Sequence, residues 1–344
     1  MNSTGNSSSR CRIVVDAMGG DFAPSNAVLG AVEAWNENKG FDLYLVGQQE
    51  KILEVLSSNS ISLSNDFIVN ANEIIEMGDS PASSLKTKPN SSIVIGAQLV
   101  RDKKADAFVS AGNTGAMMAA STLIIGRIPG LGRPTIGAEM PNVNGFCYLY
   151  DVGASKDSKP VHLFEYAIMG TIFAKEMSDN SNPKVGVLSM GEEAGKGNEV
   201  TEAAAKLLQA SKLNFIGNVE GRDILAGNVD VVVCDGYVGN IILKFGESVP
   251  KLLKHLLTQT ASKSFFDKLL IGLSKNSLKK SLKSLDYQEY GGVPLLGVNG
   301  ISIIGHGSSS VLAMKNMVLR ANDMHQKQLV SKMTKAISEY SIKI

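Results

Sequence analysis

Short β-branched runs that hand over at once to a glycine-rich loop recur along this chain, and stretches with helical spacing lie between most of them. The runs are Arg12–Val15, Leu43–Val46, Phe67–Asn70, Ala107–Ser110, Val185–Ser189, Phe215–Gly217, Val229–Cys234 and Ile301–Ile304. The helical patterns include Ala27–Glu37, Ile93–Lys103, Val161–Met177 and Glu199–Ala210. Apolar runs this short, bounded by glycine and rich in Val and Ile, read as strands covered on both faces. Their alternation with helices predicts a mostly parallel sheet in a three-layer α/β/α arrangement. The exception is Thr135–Asp151, where two β-like runs flank "PNVNG" and predict a small antiparallel extension.

In an open parallel sheet, ligands sit beyond the carboxyl ends of the strands. Five glycine-bearing loops occupy such places: "DAMGGD", "SAGNTGA", "SMGEEAGKGN", "DGYVGN" and "GHGSSS". Each offers backbone N–H groups and leads toward a helix N-terminus, a combination that favours an anion the size of phosphate. The residues placed for this are Asp16, Gly19, Gly20, Asp21, Gly112, Asn113, Thr114, Gly115, Gly197, Asn198, Gly236, Gly239, Lys244, Gly307 and Ser308. For any one loop the alternative is a tight βα turn in which glycine is only conformational.

Several function classes are disfavoured. Thirty-four Lys and Arg against 33 Asp and Glu leave no global charge for nucleic acid. "GEEAGKGN" lacks the gap and the terminal Ser/Thr of a P-loop, and no strand leads into a dinucleotide fingerprint. No metal-ligand spacing, and so no metal or other cofactor, emerges from the four histidines and three cysteines. Cys11, Cys147 and Cys234 are odd in number and unpaired in spacing, which predicts a reducing, cytoplasmic setting. No apolar run approaches the length of about 20 residues that spans a bilayer. The chain is therefore read as a polar disordered tail at 1–10, one catalytic domain at 11–330 and a terminal helix or tail at 331–344.

Four residues carry candidate chemistry. Lys196 is a cation between Gly195 and Gly197, just before a helix that Asn198 can cap, or else a solvated loop lysine. Asp235 ends an apolar strand, with Asn240 and Lys244 following, and either orients a site residue or caps a helix. His306, between two glycines, has little to be buried against and is a candidate proton carrier. His162, His255 and His325 lie on helical segments as surface or packing residues. Cys234 is either an acyl-accepting nucleophile or a buried small hydrophobe. The acids Asp16 and Asp21 repel a dianion, so they are assigned to capping or to orienting a cation such as Lys196 or Arg133; for Asp21 the alternative is a cap on the helix that Pro24 opens.

Residues 250–285 do not fit a sheet. Eight lysines and one acid give the segment a charge of +7 against +1 for the whole chain. Leu252, Leu253, Leu256 and Leu257, then Phe265, Phe266, Leu269, Leu270 and Leu273, then Leu278, Leu282 and Leu285 form helically spaced stripes broken near Gly272 and Asn276. The pattern predicts a protruding basic amphipathic helical hairpin inserted at about 248–286. Three destinations compete: the sheet or a second copy, an acidic partner protein, or an anionic membrane. Lys268, Lys275, Lys279, Lys280 and Lys283 are the contact candidates for the last two.

The blocks "VVDAMGGDFAP", "VSAGNTGA", "GRIPGLGRP", "GEEAGKGN", "FIGNVEGRDI", "DVVVCDGYVGNIILK" and "YGGVPLLGVNG…GHGSS" together resemble the acyl-acyl carrier protein:phosphate acyltransferases of bacterial phospholipid synthesis. The resemblance runs from about Arg12 to Asn322, with the blocks in family order. It departs at "DVGASKDSKP", where Ser155 stands for an expected Asn and Lys156 for an apolar residue. The resemblance implies a phosphotransacetylase-like fold and a homodimer that works without metal or nucleotide. It implies attack of inorganic phosphate on a long-chain acyl-acyl carrier protein, and peripheral association with the inner face of the cell membrane. Lys196, Asn240, His306 and Asp235 are then the catalytic candidates. The competing reading is a short-chain phosphate acetyl- or butyryltransferase that uses coenzyme A.

Overall fold

The computed structural model describes residues 10–178, 180–281 and 287–341. Residues 1–9 of the expected tail, residues 342–344, and Leu282, Lys283 and Leu285 of the basic segment lie outside them. In chain order the first elements are β1 (Cys11–Asp16), α1 (Ser25–Glu37), β2 (Phe41–Gly47), α2 (Gln49–Ser58), β3 (Ile68–Asn70), α3 (Pro81–Thr87), α4 (Ser92–Arg101), β4 (Ala107–Ser110) and α5 (Thr114–Ala120). Then come β5 (Thr135–Asn142), β6 (Gly145–Tyr150), α6 (Pro160–Met177), β7 (Val185–Leu188), α7 (Glu199–Gln209), β8 (Phe215–Val219), α8 (Gly221–Ala226), β9 (Val231–Val233), α9 (Gly236–Lys263) and α10 (Phe265–Ser281). The last are β10 (Val293–Leu296), β11 (Ile301–Ile304), α11 (Val311–Gln326) and α12 (Leu329–Ser341). Residues 10–134 with 291–341 form one compact unit, and 135–290 form a second.

The first unit holds strands in the order β3-β2-β1-β4-β11-β10, all parallel except β10, which runs antiparallel to β11. Val14 lies between Tyr44 and Phe108, and Ser302 of β11 pairs with Phe108 on the far side of β4. Burial of Ile13, Val14 and Val15 on both faces explains why β1 reads as a continuous apolar run. On one face α1 packs against α11, where a Cβ on Gly30 would lie 2.5 Å from Met314 Cβ and 2.6 Å from the Val311 carbonyl.

The second unit orders its strands β5-β6-β9-β7-β8. β5 and β6 form the antiparallel hairpin expected around "PNVNG", and the β6–β9, β9–β7 and β7–β8 pairs are parallel. Helix α6 is buried nearly all round, including Leu163, Tyr166, Phe173 and Ala174. The architecture is the expected α/β one: a mostly parallel sheet with antiparallel parts, flanked by helices.

Two expectations are corrected. β10 was not expected, because Pro294 and the paired Gly291 and Gly292, both at φ +71, mask its short apolar run. The basic hairpin breaks at Ser264 rather than near Gly272 and Asn276, through which α10 continues. Ser264 is extended (φ −146, ψ 141) and its carbonyl accepts from the Lys268 N–H, so the break sits at a residue type that favours helix N-caps. Within the hairpin, Leu252, Leu253, Leu256, Leu269, Leu270 and Leu273 are exposed rather than packed on this chain's own sheet.

Gly30 gives a direct test of the α1–α11 contact. Gly30→Val drives a side chain into backbone atoms that cannot step aside, and overpacking of this kind costs about 1–3 kcal/mol or more. Denaturant unfolding is expected to show that loss, while unchanged stability would mean that α1 and α11 do not approach this closely.

Candidate functional site

Three loops leave the carboxyl ends of the neighbouring strands β1, β4 and β11 in the first unit. Asp16 ends β1 fully buried; its Oδ2 accepts from Ser110 Oγ at 2.7 Å and its Oδ1 from the Met18 N–H at 3.0 Å. Ser110 Oγ accepts in turn from the Gly112 N–H at 3.0 Å, so one chain of bonds ties the first two loops together. Burial pushes the Asp16 carboxyl above the usual range, against the bonds from Ser92, Ser110, Met18 and Gly19 that favour its charge. The glycines are there for contact between loops: a Cβ on Gly19 would fall 2.6 Å from both Asp16 Oδ2 and the Gly112 nitrogen. Gly20 adopts φ +105 and sits against the Gly307 carbonyl, which accepts from the Asp21 N–H at 2.7 Å. These backbones touch one another.

Asn113 caps α5 by accepting from the Ala116 N–H, and its Nδ2 donates to the carbonyls of Glu76, Met77 and Asp79 at 3.0, 3.2 and 3.1 Å. Thr114 begins that helix, and Gly115 is small because Pro81 Cγ lies 2.5 Å from where its Cβ would be. In the third loop His306 Nδ1 accepts from the Ser308 N–H at 3.2 Å and lies 2.8 Å from Ser308 Oγ. A ring nitrogen that accepts from a backbone N–H carries no proton, so the neutral imidazole holds its proton on Nε2. His306 is exposed.

In the second unit the strands β6, β9 and β7 are parallel neighbours, and their carboxyl ends carry the other loops. Asp151 follows β6, fully buried; its Oδ1 accepts from the N–H groups of Ile136, Gly153 and Ala154, and its Oδ2 from the Ser155 N–H and hydroxyl. Burial holds this carboxyl above the usual range too, despite four backbone bonds pulling it down. Gly236 and Gly239, in the first turn of α9, allow the helix to rest on this loop: their Cβ positions would lie 2.1 Å from the Ser155 carbonyl and 1.8 Å from that of Asp151. Asn240, one residue on, has its side-chain amide 2.6 Å from where a Cβ of Gly153 would be, and that amide makes no hydrogen bond among the described residues.

The loop after β7 carries Lys196, exposed and without an ion pair or side-chain hydrogen bond among the described residues. Gly195 has φ +87 and open space around it, and Gly197 lies close to Thr201 Oγ1. Asn198 caps α7 through the Thr201 N–H at 2.9 Å, as its position predicts. Ser189, immediately after β7, has a buried hydroxyl with no partner among the described residues. Sequence reasoning passed over Ser189 and Asp151; the signal available for both was their place at the end of an apolar run, directly before a glycine-bearing loop.

Other candidates take structural roles. Asp235 caps α9 by accepting from the Val238 N–H at 2.9 Å, the helix-cap alternative of its sequence reading, and it pairs with no lysine among the described residues. Asp21 does not cap α1, whose N-cap is Pro24 with no side-chain bond. Lys244 pairs with Glu247 at 2.9 Å on the surface. Cys234 is buried, its S–H donates to the Asp151 carbonyl, and burial pushes the thiol well up, so it behaves as a small hydrophobe. His162 accepts from the Lys159 N–H and stacks on Tyr166, a packing role. Lys268, Lys275 and Lys280 are exposed on α10; Lys279 lies on the same helix, and Lys283 lies outside the described residues. Among the described residues no helix is long and apolar enough to cross a membrane.

Known structures share this fold. A phosphotransacetylase from Streptococcus pyogenes matches at a TM-score of 0.60 and 18% identity, covering 94% of each chain. The EutD phosphotransacetylase from Staphylococcus aureus matches at 0.58 and 17%, covering 92% of this chain and 94% of its own. The molecule is thus an α/β protein of the phosphotransacetylase-like fold. The profile of the family described as "Fatty acid synthesis protein" matches residues 11–332. The phosphate acyltransferase of Pelotomaculum thermopropionicum is 47% identical over 333 residues, 96% of either chain, and that of Chlorobaculum parvum is 46% identical over 95% of this chain and 98% of its own. The chain belongs to this family, that of the phosphate acyltransferases.

The raised carboxyl of Asp16 sets a pH dependence. The native chain holds this proton more tightly than the unfolded one, so the contribution is complete below about pH 4 and is lost as pH rises toward the raised value. Asp16→Asn abolishes the titration. Its stability relative to wild type is expected to climb with pH across that interval in urea unfolding, and a pH-independent difference would show that Asp16 titrates as an ordinary carboxyl.

Proposed function

We propose that the protein transfers a long-chain acyl group from acyl carrier protein to inorganic phosphate, giving acyl phosphate and free carrier for phospholipid synthesis. The observation that carries the reading is the pair of uncommitted donors, the Lys196 ammonium on the loop after β7 and the Asn240 amide near the start of α9, which follows the neighbouring strand β9. Membership of the phosphate acyltransferase family supports the same chemistry.

Phosphate near neutral pH is already a charged nucleophile, so direct attack asks the protein only for position and charge stabilisation. A phosphate oxygen bonds to the thioester carbonyl carbon, the carbonyl becomes an oxyanion, and its collapse breaks the C–S bond. Lys196 holds phosphate or the oxyanion, and Asn240 donates a hydrogen bond. Backbone N–H groups of the second unit's own glycine loops, after β7 and β9, complete the cradle. The departing thiolate takes its proton from solvent.

The basic hairpin is read as an anchor on an anionic membrane surface from the cytoplasmic side. Exposed leucines and phenylalanines on α9 and α10 enter the interface, and Lys268, Lys275 and Lys280 face anionic headgroups. The active assembly is read as a homodimer.

Three measurements test these readings. Phosphate-dependent thiol release is expected from palmitoyl-acyl carrier protein and not from acetyl-CoA; the reverse result would assign the chain to the short-chain class. Lys196→Ala is expected to lose about 10²–10³ in turnover, the size found for one transition-state donor, and full activity would remove Lys196 from the mechanism. Neutralising Lys268, Lys275 and Lys280 to Gln is expected to weaken sedimentation with phosphatidylglycerol vesicles about 100-fold, at about 1 kcal/mol for each lysine. Undiminished vesicle binding by that variant would move these lysines to the carrier protein.

A further inference from the structure

At the end of the first unit's sheet opposite to the loops, three side chains converge that no step above uses. Cys11 opens β1 with its thiol fully buried, Asp106 directly precedes β4, and His325 lies in the last turn of α11. Cys11 Sγ, an Asp106 carboxylate oxygen and a His325 ring nitrogen all lie within 4.8 Å of one another. Each has an unused lone pair. The Cys11 thiol and the His325 ring make no hydrogen bond among the described residues. Asp106 Oδ2 accepts from the Arg12 backbone N–H and Nε, while Oδ1 accepts only from Arg12 Nη2 at 2.9 Å, leaving one of its two acceptor positions open.

We propose that Cys11, Asp106 and His325 form a zinc site that joins β1, β4 and α11. A thiolate, an imidazole and a carboxylate are the donor set of tetrahedral zinc, whose ligand atoms stand about 3.5 Å apart, so closure needs shifts of about 1 Å in side chains only. A cavity of about 390 Å³, lined by Asp106, His325, Lys103, Asn299, Gln328 and Ser331, adjoins the cluster and supplies both the entry path and the room for a water as fourth ligand. Arg12 remains on the other lone pairs of Asp106 and fixes the orientation of that ligand. Binding displaces the Cys11 proton to solvent, so affinity rises with pH. The three positions lie far apart in the chain, which is why no spacing motif announces them.

The test uses the full chain, stripped with chelator and titrated with zinc chloride. One zinc ion per chain is expected, with a raised melting temperature. Cobalt(II) in its place is expected to give the thiolate charge-transfer band and the intense visible bands of four-coordinate metal. His325→Gln and Cys11→Ser should each weaken zinc binding by at least about 10-fold, the lower bound for a disturbed metal shell, and Cys11→Ser should erase the charge-transfer band. Absence of stoichiometric zinc binding by wild type, or cobalt spectra without a thiolate band, overturns the proposal. So does unchanged affinity in His325→Gln. Should a variant fail to fold, the wild-type cobalt spectrum alone decides.

Discussion

Buried carboxylates at strand ends govern how this chain displays its loops. Asp16 and Asp151 have no access to solvent, and both lie where a parallel strand stops. A carboxylate in such a place costs several kcal/mol of desolvation unless donors gather round it. Here the donors are the loops themselves: Met18, Ser110 and through it Gly112 for one acid, and Ile136, Gly153, Ala154 and Ser155 for the other. The loop conformations follow from the need to satisfy these oxygens, and the glycines follow from how closely the backbones must then approach. Raised carboxyl pKa values at both positions register the residual cost that the donors do not cancel.

This arrangement separates two kinds of polar residue that look alike in the sequence. Asp16, Asp151, Asn113, Asn198 and Asp235 are consumed by the backbone, as anchors or helix caps. Lys196, Asn240 and Ser189 retain hydrogen-bonding groups unused among the described residues, and an enzyme that must bind an anion needs groups of this second kind. In the proposed reaction, catalytic work thereby falls to few side chains, held by many that do none.

The strands were legible where their physics is local. Ala107–Ser110 and Ile301–Ile304 read to the residue because buried apolar runs stop there, just before a glycine-bearing loop, and the β5–β6 hairpin was announced by its turn. Helices α2, α3 and α8 are short and half-exposed, so their apolar spacing is too sparse to read, and Pro294 hid β10. In the site, Lys196 and Asn240 stood out because glycine and helix-start signals surround them. Asp151 did not: its partners are mostly backbone N–H groups, which leave no trace in side-chain pattern. The Asp16–Ser110 bond joins residues from separate strands, and only the sheet order brings them together.

The Asn113 amide has a consequence for what its neighbours are allowed to become. By reading three carbonyl oxygens it grips residues 76–79 through the main chain alone, so the fold places no demand on the identity of the exposed Met77 side chain. Asp79 is the exception, since its carboxylate accepts from the Glu76 N–H and from Lys88 Nζ, whereas position 77 can change while the segment keeps its shape, and the chemistry presented to solvent there is open to selection independently of the architecture that carries it.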